Sequence, residues 1–209
     1  MTEQGEQWDR ERTQRHARWA KLGSRLIYAP FARQIVEYLA PAERRAPIVV
    51  VDLGTGSGLL SIELHRLLPQ AKIIGVDPSS EMLKVAQEHA DEAGMSDYEA
   101  RLGQAEEMPI ASNSVDLVVS QSSLHEWRDP QKGLSEIFRV LKPGGSLILK
   151  DYNREWLSTW KHHLLKLFDH LEMFRFTFEE VADRLREAGF DEIKGQGRGL
   201  QWFIQAVKR

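Results

Sequence analysis

Glycine recurs at every second position after a run of β-branched residues, in the stretch "VVVDLGTGSG" at residues 49–58. Glycine lets the backbone adopt positive φ angles and approach a ligand closely, so a glycine-rich turn from a strand into a helix is a candidate nucleotide-binding loop. The spacing of Gly54, Gly56 and Gly58 lacks the third glycine of the dinucleotide fingerprint, because Leu59 stands in its place. No Lys-Ser/Thr pair of a P-loop follows. We therefore do not expect this loop to hold a pyrophosphate.

Two carboxylates flank the loop in sequence. Asp52 directly precedes it, and Asp77 closes the next apolar run in "IIGVDPSSEM". A carboxylate in the position of Asp77 can accept hydrogen bonds from both hydroxyl groups of a ribose. Two negative charges repel a phosphate but not a cation, so the pair favours a positively charged nucleoside.

A candidate general base lies further along the chain, at His125 in "SSLHEW". An unperturbed histidine pKa of about 6.5 suits proton transfer near neutral pH. The alternative is that His125 packs or forms hydrogen bonds beside a ligand without moving protons. Asp151, Tyr152 and Arg154 follow a later apolar run and are expected to reach a substrate. Arg154 could pair with an anionic group of that substrate.

Apolar runs and the helical patterns between them predict the elements that position these residues. The runs are Ile48–Leu53, Ile73–Val76, Val115–Val119 and Leu147–Leu149. They are continuous rather than alternating, as expected for strands that are buried on both faces. Strands that alternate with helices predict a parallel sheet in an α/β fold, with a weaker additional strand at 97–102.

The two ends of the chain depart from this alternation. The stretch "FTFEEVADRLREAGF" predicts a helix, and residues 191–207 predict two strands around "GQGRGLQ". Residues 7–40 are predicted to be mostly helical, with a break near Pro30. We predict an N-terminal helical arm at 1–40 and a main domain at 41–209, interrupted by an aromatic, helical insertion at 152–176.

The arm is basic. Between residues 10 and 33 only Glu11 is acidic, whereas the basic residues are Arg10, Arg12, Arg15, Arg18, Lys21, Arg25 and Arg33. One interpretation is an amphipathic helix with its basic face in water. The others are contact with an anionic substrate, with RNA phosphates or with a membrane surface. In the insertion, His162, His163 and His170 lack the carboxylate–histidine spacing of a metal motif, so no metal site is expected.

Composition limits the classes of function. The 209 residues carry a net charge of −3 and contain no cysteine. Disulfides, thiolate nucleophiles and thiolate metal sites are therefore excluded. The N-terminal stretch has no apolar core of a secretory signal, and no apolar run approaches the roughly 20 residues of a membrane span. We expect a cytoplasmic protein without an integral membrane segment.

The motifs, taken in order, resemble those of the class I S-adenosylmethionine-dependent methyltransferases. The similar segments are "VVDLGTGSG", "GVDPSSEML", "GQAEEMPI", "SVDLVVSQSSLHEW" and "RVLKPGG". They cover about residues 45–151, and the closing helix and hairpin extend the resemblance to about 207. The similarity is strongest to the broad group of small-molecule enzymes that includes ubiquinone and menaquinone methyltransferases. It implies a Rossmann-like, doubly wound, seven-stranded and mostly parallel sheet with an antiparallel C-terminal hairpin strand.

The resemblance also implies a cofactor, S-adenosylmethionine, with S-adenosylhomocysteine as its product. The implied cofactor contacts are Asp52, Gly54, Thr55, Gly56, Gly58, Asp77, Pro78, Met82, Gln104, Ala105, Glu106, Ser120 and Gln121. Asp52 and the loop would hold the ammonium group, Asp77 the ribose, and Ser120 and Gln121 the methionine carbons and methyl group.

The adenine contacts implied by the resemblance differ slightly from the family pattern. Ala105 would donate its N–H to the ring and Gln104 would face the exocyclic amine, where the family often has Asp. A glutamine carbonyl can accept the same hydrogen bond without the charge. An alternative for Glu106 and Glu107 is the acidic start of a helix.

The implied reaction is transfer of a methyl group to a small molecule by in-line displacement. His125 is the candidate base, and Tyr28, Trp127, Tyr152 and Arg154 are candidate acceptor contacts, although Trp127 could equally be part of the core. Two alternatives stay open, an RNA-directed methyltransferase and a non-catalytic cofactor-binding partner subunit. Nucleic acid is not expected, because "SQSS" replaces the Asn/Asp-Pro-Pro-aromatic loop of base-amine methyltransferases. The acceptor, the attacking atom and the oligomeric state are left open.

Overall fold

The computed structural model describes residues 26–158, 173–197 and 199–209. The predictions for the basic arm up to Arg25 and for His162, His163 and His170 concern residues outside these ranges. The chain divides into two compact units between Gln104 and Ala105. The predicted domain boundary at residue 40 stays a prediction.

The first unit contains three parallel strands. Its elements are α1 (described over 26–38), a 3₁₀ turn at Glu43–Arg45, β1 (Val49–Leu53), α2 (Leu59–Leu67), β2 (Lys72–Asp77), α3 (Ser80–Glu92) and β3 (Glu99–Leu102). In the β1–β2 register Val51 pairs with Ile74, and β3 continues the sheet beside β2. Val51 is fully buried, and each such side chain contributes roughly 1.5–3 kcal/mol of hydrophobic stabilisation.

The second unit contains four strands. Its elements are β4 (Val115–Gln121), a 3₁₀ turn at Leu124–Glu126, α4 (Pro130–Val140), β5 (Leu141–Tyr152), α5 (Arg154–Ser158), α6 (Phe178–Glu187), β6 (Asp191–Gln196) and β7 (Gln201–Val207). Strand β5 runs parallel to β4, whereas β7 is antiparallel to both β5 and β6. Leu117, Ile148 and Trp202 are fully buried in this unit.

The sheet has seven strands in the order β3-β2-β1-β4-β5-β7-β6. The pairs β1–β2, β2–β3 and β4–β5 are parallel, and the C-terminal hairpin supplies the antiparallel strands. This confirms the predicted Rossmann-like α/β fold. None of the helices in the described part of the chain combines the length and the apolar character needed to cross a lipid bilayer.

Side chains that satisfy free N–H groups set the start of three helices. The Ser79 hydroxyl accepts the N–H of Met82 before α3, and Asp129 accepts the N–H of Lys132 before α4. At α6, Thr177 and Glu180 form a reciprocal capping box. Such caps contribute on the order of 1 kcal/mol each. They fix where each helix begins relative to the strand that precedes it.

Two local predictions were wrong. Helix α1 is continuous through Pro30. The proline cannot donate to the carbonyl of Leu26, but the helix continues to residue 38. Strand β5 begins at Leu141 rather than near Leu147. The Pro-Gly-Gly sequence predicts a turn, but Gly144 donates to the carbonyl of Lys208, which keeps this stretch in the sheet.

Candidate functional site

The glycine loop between β1 and α2 is held open by its backbone conformation. Gly54, Gly56 and Gly58 have φ angles of 72°, 52° and 77°, a region that side chains disfavour. The N–H groups of Gly54 and Thr55 donate to the carbonyl of Val76 at 2.8 and 3.1 Å. Within the described residues, a Cβ added at Gly56 would meet no atom within 4 Å. The loop is therefore fixed to β2 and has open space beside Gly56.

Asp77 joins the end of β2 to this loop. Its Oδ2 accepts the N–H of Gly56 and its Oδ1 accepts the N–H of Ser79, each at 2.9 Å. Burial raises the pKa of Asp77, and the two backbone hydrogen bonds oppose this rise. Each carboxylate oxygen retains a second lone pair. Asp77 can thus accept two further hydrogen bonds, as a ribose diol requires, and its role as ribose contact stays a prediction.

Asp52 lies in a buried cluster of hydroxyl groups. Its Oδ2 accepts hydrogen bonds from Thr55 at 2.9 Å and from Ser61 at 2.7 Å. Burial, opposed by these hydrogen bonds, raises the pKa of Asp52 to about 6. The Tyr98 hydroxyl lies 3.5 Å from Thr55, and burial raises the pKa of Tyr98 to about 12. The structure thus gives Asp52 a role in fixing the loop, and its contact with an ammonium group stays a prediction.

Two contacts of helix α3 with the loop were not predicted from the sequence. The ring nitrogen Nδ1 of His89 lies 2.9 Å from the carbonyl oxygen of Ser57. A Cβ at Gly58 would lie 3.1 Å from that of Ala86, so the close approach of α3 requires glycine there. Both contacts join residues about 30 positions apart, which local spacing does not reveal.

The remaining predicted site residues of the first unit differ in exposure. Met82 is buried and its N–H donates to the Ser79 hydroxyl. Pro78 and Gln104 are exposed, and Tyr28 is half-buried on α1. The exposed pair can meet a ligand without rearrangement, whereas Met82 belongs to the core. Ligand contact by each of these four residues stays a prediction.

In the second unit, His125 is paired with a carboxylate. Its Nδ1 lies 2.8 Å from Oδ1 of Asp151, and its backbone N–H donates to Oδ2 at 3.1 Å. Asp151 is only 2% exposed. Asp151 was expected to reach a substrate, but both of its oxygens accept hydrogen bonds from N–H groups of the protein.

The pKa of His125 reflects opposing influences. Burial alone would lower it, whereas the hydrogen bond and charge of Asp151, with Glu126, raise it, and the charge of Arg175 lowers it again. The net result is a pKa above the ordinary value of 6.5. The predicted base therefore has a structural partner that holds its ring.

Three aromatic rings lie beside this pair. Tyr152 meets the His125 ring edge-on at 5.7 Å between centroids and lies 5.5 Å from Phe174. Phe174 stacks on Trp156 at 5.9 Å with an interplanar angle of 13°. We call Tyr152, Trp156 and Phe174 the aromatic shelf. All three residues are half-buried, and aromatic rings of this kind favour contact with flat apolar groups.

Trp127 packs inside the second unit. It is buried, its indole N–H donates to the Ser123 hydroxyl at 2.9 Å, and its ring occupies the space where a Cβ of Gly133 would lie. The Arg175 side chain donates to the carbonyl oxygens of Trp127 and His125. This packing matches the core alternative, and acceptor binding by Trp127 stays a prediction.

Arg154, the predicted partner of an anionic substrate, is engaged by the protein. Its guanidinium pairs with Glu180 and donates to the carbonyl oxygen of Arg175 at 3.0 Å. A substrate anion would have to compete with Glu180. A substrate contact by Arg154 stays a prediction that requires this pair to open.

Two polar side chains at the end of β4 have buried atoms without partners. Within the part of the chain that the structure describes, neither the Ser120 hydroxyl nor Oε1 of Gln121 has a hydrogen-bond partner. An unsatisfied buried polar group costs roughly 1–3 kcal/mol. A polar ligand at these atoms would remove that cost.

Ala105 and Glu106 begin the second unit, and both are buried. Oε1 of Glu106 accepts the N–H of Asp129 at 3.0 Å. The alternative that Glu106 and Glu107 start a helix is wrong, because no helix is present between β3 and β4. Glu106 instead joins its loop to the start of α4, and ligand contact by Ala105 or Glu106 stays untested.

A family model described as a methyltransferase domain matches residues 45–201. A 2-methyl-6-phytyl-1,4-hydroquinone methyltransferase of Oryza sativa is 30% identical over 174 residues, which are 82% of this chain and 49% of the relative. An uncharacterized methyltransferase of Bacillus subtilis is 32% identical over 61% of this chain and 51% of its own length. The chain spans about half the length of the curated relatives it matches.

Solved structures show the same fold. An S-adenosyl-L-methionine-dependent methyltransferase structure from Methanococcus maripaludis superposes with a TM-score of 0.76. The comparison covers 100% of this chain and 97% of that chain at 22% identity. At this identity the likeness concerns the fold alone.

Proposed function

The chain belongs to the class I S-adenosylmethionine-dependent methyltransferases, and we propose that it transfers a methyl group from this cofactor to a small aromatic acceptor. The match covers the glycine loop, the ends of the strands and the His125 segment. The family supplies the cofactor class, and the side chains of this chain support the more specific parts of the proposal.

The observation that carries the proposal is the hydrogen bond between the glycine loop and Asp77. Gly56 has open space beside it, and its N–H is fixed by the carboxylate that ends β2. The P-loop and dinucleotide patterns are absent, and two acidic groups lie at the loop instead of basic ones. These features fit a cationic nucleoside with a free ribose diol.

When bound, S-adenosylmethionine supplies a methyl group on a positively charged sulfur. Asp77 would hold the ribose, and the loop with Asp52 would favour the positive charge. The Ser120 hydroxyl and the Gln121 amide oxygen, which have no hydrogen-bond partner among the described residues, also fit polar groups of a ligand. The resemblance assigns these two residues to the methionine part of the cofactor.

The acceptor class is inferred from the aromatic shelf together with the relatives. Flat ring surface beside a histidine suits an aromatic acceptor that carries an acidic hydrogen, such as a phenol or hydroquinone. The Oryza sativa relative is named for a hydroquinone acceptor. We propose the same chemical class for this chain, with His125 as the group that accepts the proton.

A label-transfer assay tests this function. Purified chain is incubated with methyl-labelled S-adenosylmethionine and, separately, with hydroquinones, simple phenols, aliphatic amines and total RNA. We expect label in the products of the hydroquinone or phenol reactions. Replacing Phe174 by Ala removes the middle ring of the shelf, so it should raise KM for the aromatic acceptor and leave the affinity for the cofactor unchanged.

Phe190→Ala is a matched control, because Phe190 packs against Phe138 away from the shelf. It should leave KM for the acceptor unchanged in the fraction of the protein that folds. Label in RNA alone would contradict the acceptor class and favour the RNA-directed alternative. Cofactor binding without any label transfer would favour a non-catalytic partner subunit.

A further inference from the structure

We propose that Asp151 is a positioning residue that fixes which nitrogen of His125 carries a proton, so that Nε2 accepts a proton from the methyl acceptor. This inference rests on the proposed function and deepens it. The sequence indicated His125 alone, and the role of Asp151 follows from the structure.

The contact between the two side chains favours one protonation pattern of the ring. Nδ1 of His125 lies 2.8 Å from Oδ1 of Asp151. An ionised carboxylate only accepts hydrogen bonds, so Nδ1 must donate. Neutral imidazole has one N–H group, which leaves Nε2 with a free lone pair.

Asp151 is held rigidly enough to impose this pattern. Its Oδ1 also accepts the N–H of Tyr152 at 2.7 Å, and its Oδ2 accepts the backbone N–H of His125 at 3.1 Å. The side chain is 2% exposed at the end of β5. The carboxylate therefore fixes both the ring and the backbone of His125 relative to a strand.

Nε2 is the ring nitrogen that does not face Asp151, and the His125 side chain is 12% exposed. The nearest charged neighbour of Nε2 is Oε1 of Glu126 at 3.9 Å, and the Glu126 side chain is 61% exposed. The ring of Tyr152 meets the imidazole edge-on, which brings the aromatic shelf to His125. Arg175 donates to the carbonyl oxygen of His125 and adds a positive charge nearby. A ring on the shelf would thus place an acidic hydrogen near Nε2.

The proton balance of the step is simple. The acidic hydrogen of the acceptor moves to Nε2, and the electron pair left on the acceptor forms the bond to the methyl carbon. The electron pair of the broken carbon–sulfur bond stays on sulfur. The imidazolium formed is stabilised by Asp151 and afterwards releases its proton to water.

The pH dependence follows from the groups that face His125. Burial lowers the pKa of the imidazole, Asp151 and Glu126 raise it, and Arg175 lowers it, with a net rise above 6.5. Only the neutral ring is a base. Turnover should therefore increase with pH through a group whose pKa lies above 6.5.

Nitrogen NMR of the ¹⁵N-histidine-labelled chain tests the protonation pattern without any catalysis. The His125 signal is identified by its loss in His125→Gln. At a pH above its pKa, we expect the proton on Nδ1, in contrast to free histidine, where Nε2–H predominates. A proton on Nε2 would overturn the proposal.

Asp151→Asn tests the consequence for turnover. The amide offers one accepting oxygen to three N–H groups and carries no charge, so burial should then dominate and the pKa of His125 should fall below 6.5. We expect kcat to fall roughly tenfold or more, within the roughly 10²–10⁴-fold effect of a positioned base, with KM nearly unchanged. The rising limb of the pH profile should move to lower pH.

Glu126→Gln is the matched control, because it removes the other nearby carboxylate without touching Nδ1. It should shift the titration of His125 less than Asp151→Asn and leave the proton on Nδ1. An Asp151→Asn variant with unchanged titration and kcat would overturn the positioning role. If Asp151→Asn does not fold, NMR of the unmodified chain still decides.

The two levels of the proposal fail separately. Methyl transfer by a chain with the proton on Nε2 would overturn the role of Asp151 alone. A proton on Nδ1 in a chain that transfers no methyl group would overturn the proposed function and the base, and would support only the positioning of the ring.

Discussion

Three aspartates of the candidate site have different hydrogen-bond partners, and these partners determine what each carboxylate can do. Asp52 is directed to hydroxyl groups, Asp77 to two backbone N–H groups and Asp151 to an imidazole and the backbone. In the sequence each simply follows or ends an apolar run. Asp77 lies beside the open loop and keeps spare accepting capacity on both oxygens, which supports its proposed role as the ribose contact.

The pH dependence of stability tests the surroundings of Asp52. Its pKa in the folded chain is about 6, against an ordinary value of 3.8. The folded chain therefore binds more protons than the unfolded chain between about pH 4 and 6. Its free energy of unfolding should fall as the pH rises through this window, by up to about 3 kcal/mol, and then level off.

Urea unfolding between pH 4 and 8 measures this effect, with Asp52→Asn as the reference that cannot titrate. Ser61→Ala removes the hydroxyl hydrogen bond that lowers the pKa of Asp52, so it should extend the falling region to higher pH. A difference between the chain and Asp52→Asn that does not vary with pH would show that Asp52 titrates normally.

The sequence identified His125 but not its partner. Twenty-six positions separate His125 from Asp151, and only the pairing of β4 with β5 brings the following loops together. The same holds for His89 and the glycine loop. A sequence shows which residue types follow a strand. It does not show which side chain will form a hydrogen bond with them, because that depends on the directions of side chains that are distant in the sequence.

At the scale of elements, the candidate site residues lie at the ends of strands. Hydrogen bonds hold the adjoining loops to these strands. The sequence predicted the strands well where apolar residues are continuous, as in β1 and β4. It failed where a local signal competes with a distant contact. The Pro-Gly-Gly stretch of β5 is kept in the sheet by hydrogen bonds to Lys208 near the other end of this unit, and Pro30 leaves α1 uninterrupted.

Lys208 also stabilises the junction of α4 and β5. Its ammonium group donates to Oδ1 of Asn113 and to the carbonyl oxygens of Phe138 and Leu141 at 2.7–2.8 Å, and it lies over the Phe138 ring. Lys208→Met leaves three acceptors without this donor, of which the carbonyl oxygen of Leu141 is buried. We expect the free energy of unfolding to fall by roughly 2–4 kcal/mol, as measured by urea unfolding.

Arg209→Met is the control for this prediction. The neighbouring Arg209 pairs with Glu192 at the surface, and an exposed ion pair contributes little. Equal effects of the two substitutions would contradict a capping role for Lys208.

At the scale of the whole molecule, each compact unit carries a different part of the proposed chemistry. The first contains the glycine loop and Asp77, and the second contains His125, Asp151 and the aromatic shelf. The order of the motifs predicted the family, because five segments in sequence constrain a fold more than any single pattern does. The acceptor could not be predicted, since the shelf is assembled from residues at the two ends of the predicted insertion, which a local pattern does not bring together.

The central claim is that the glycine loop and Asp77 bind S-adenosylmethionine, and calorimetric titration of the purified chain tests it most directly. Asp77→Ala removes two charge-assisted hydrogen bonds of roughly 1.5–3 kcal/mol each, so affinity should fall at least about tenfold. Asp91→Ala makes the same charge change at an exposed position of α3, where the Asp91 side chain accepts a hydrogen bond from Gln87, and should leave affinity unchanged. We expect S-adenosylmethionine to bind more tightly than NAD. Tighter binding of NAD, or unchanged affinity in Asp77→Ala, would contradict the account.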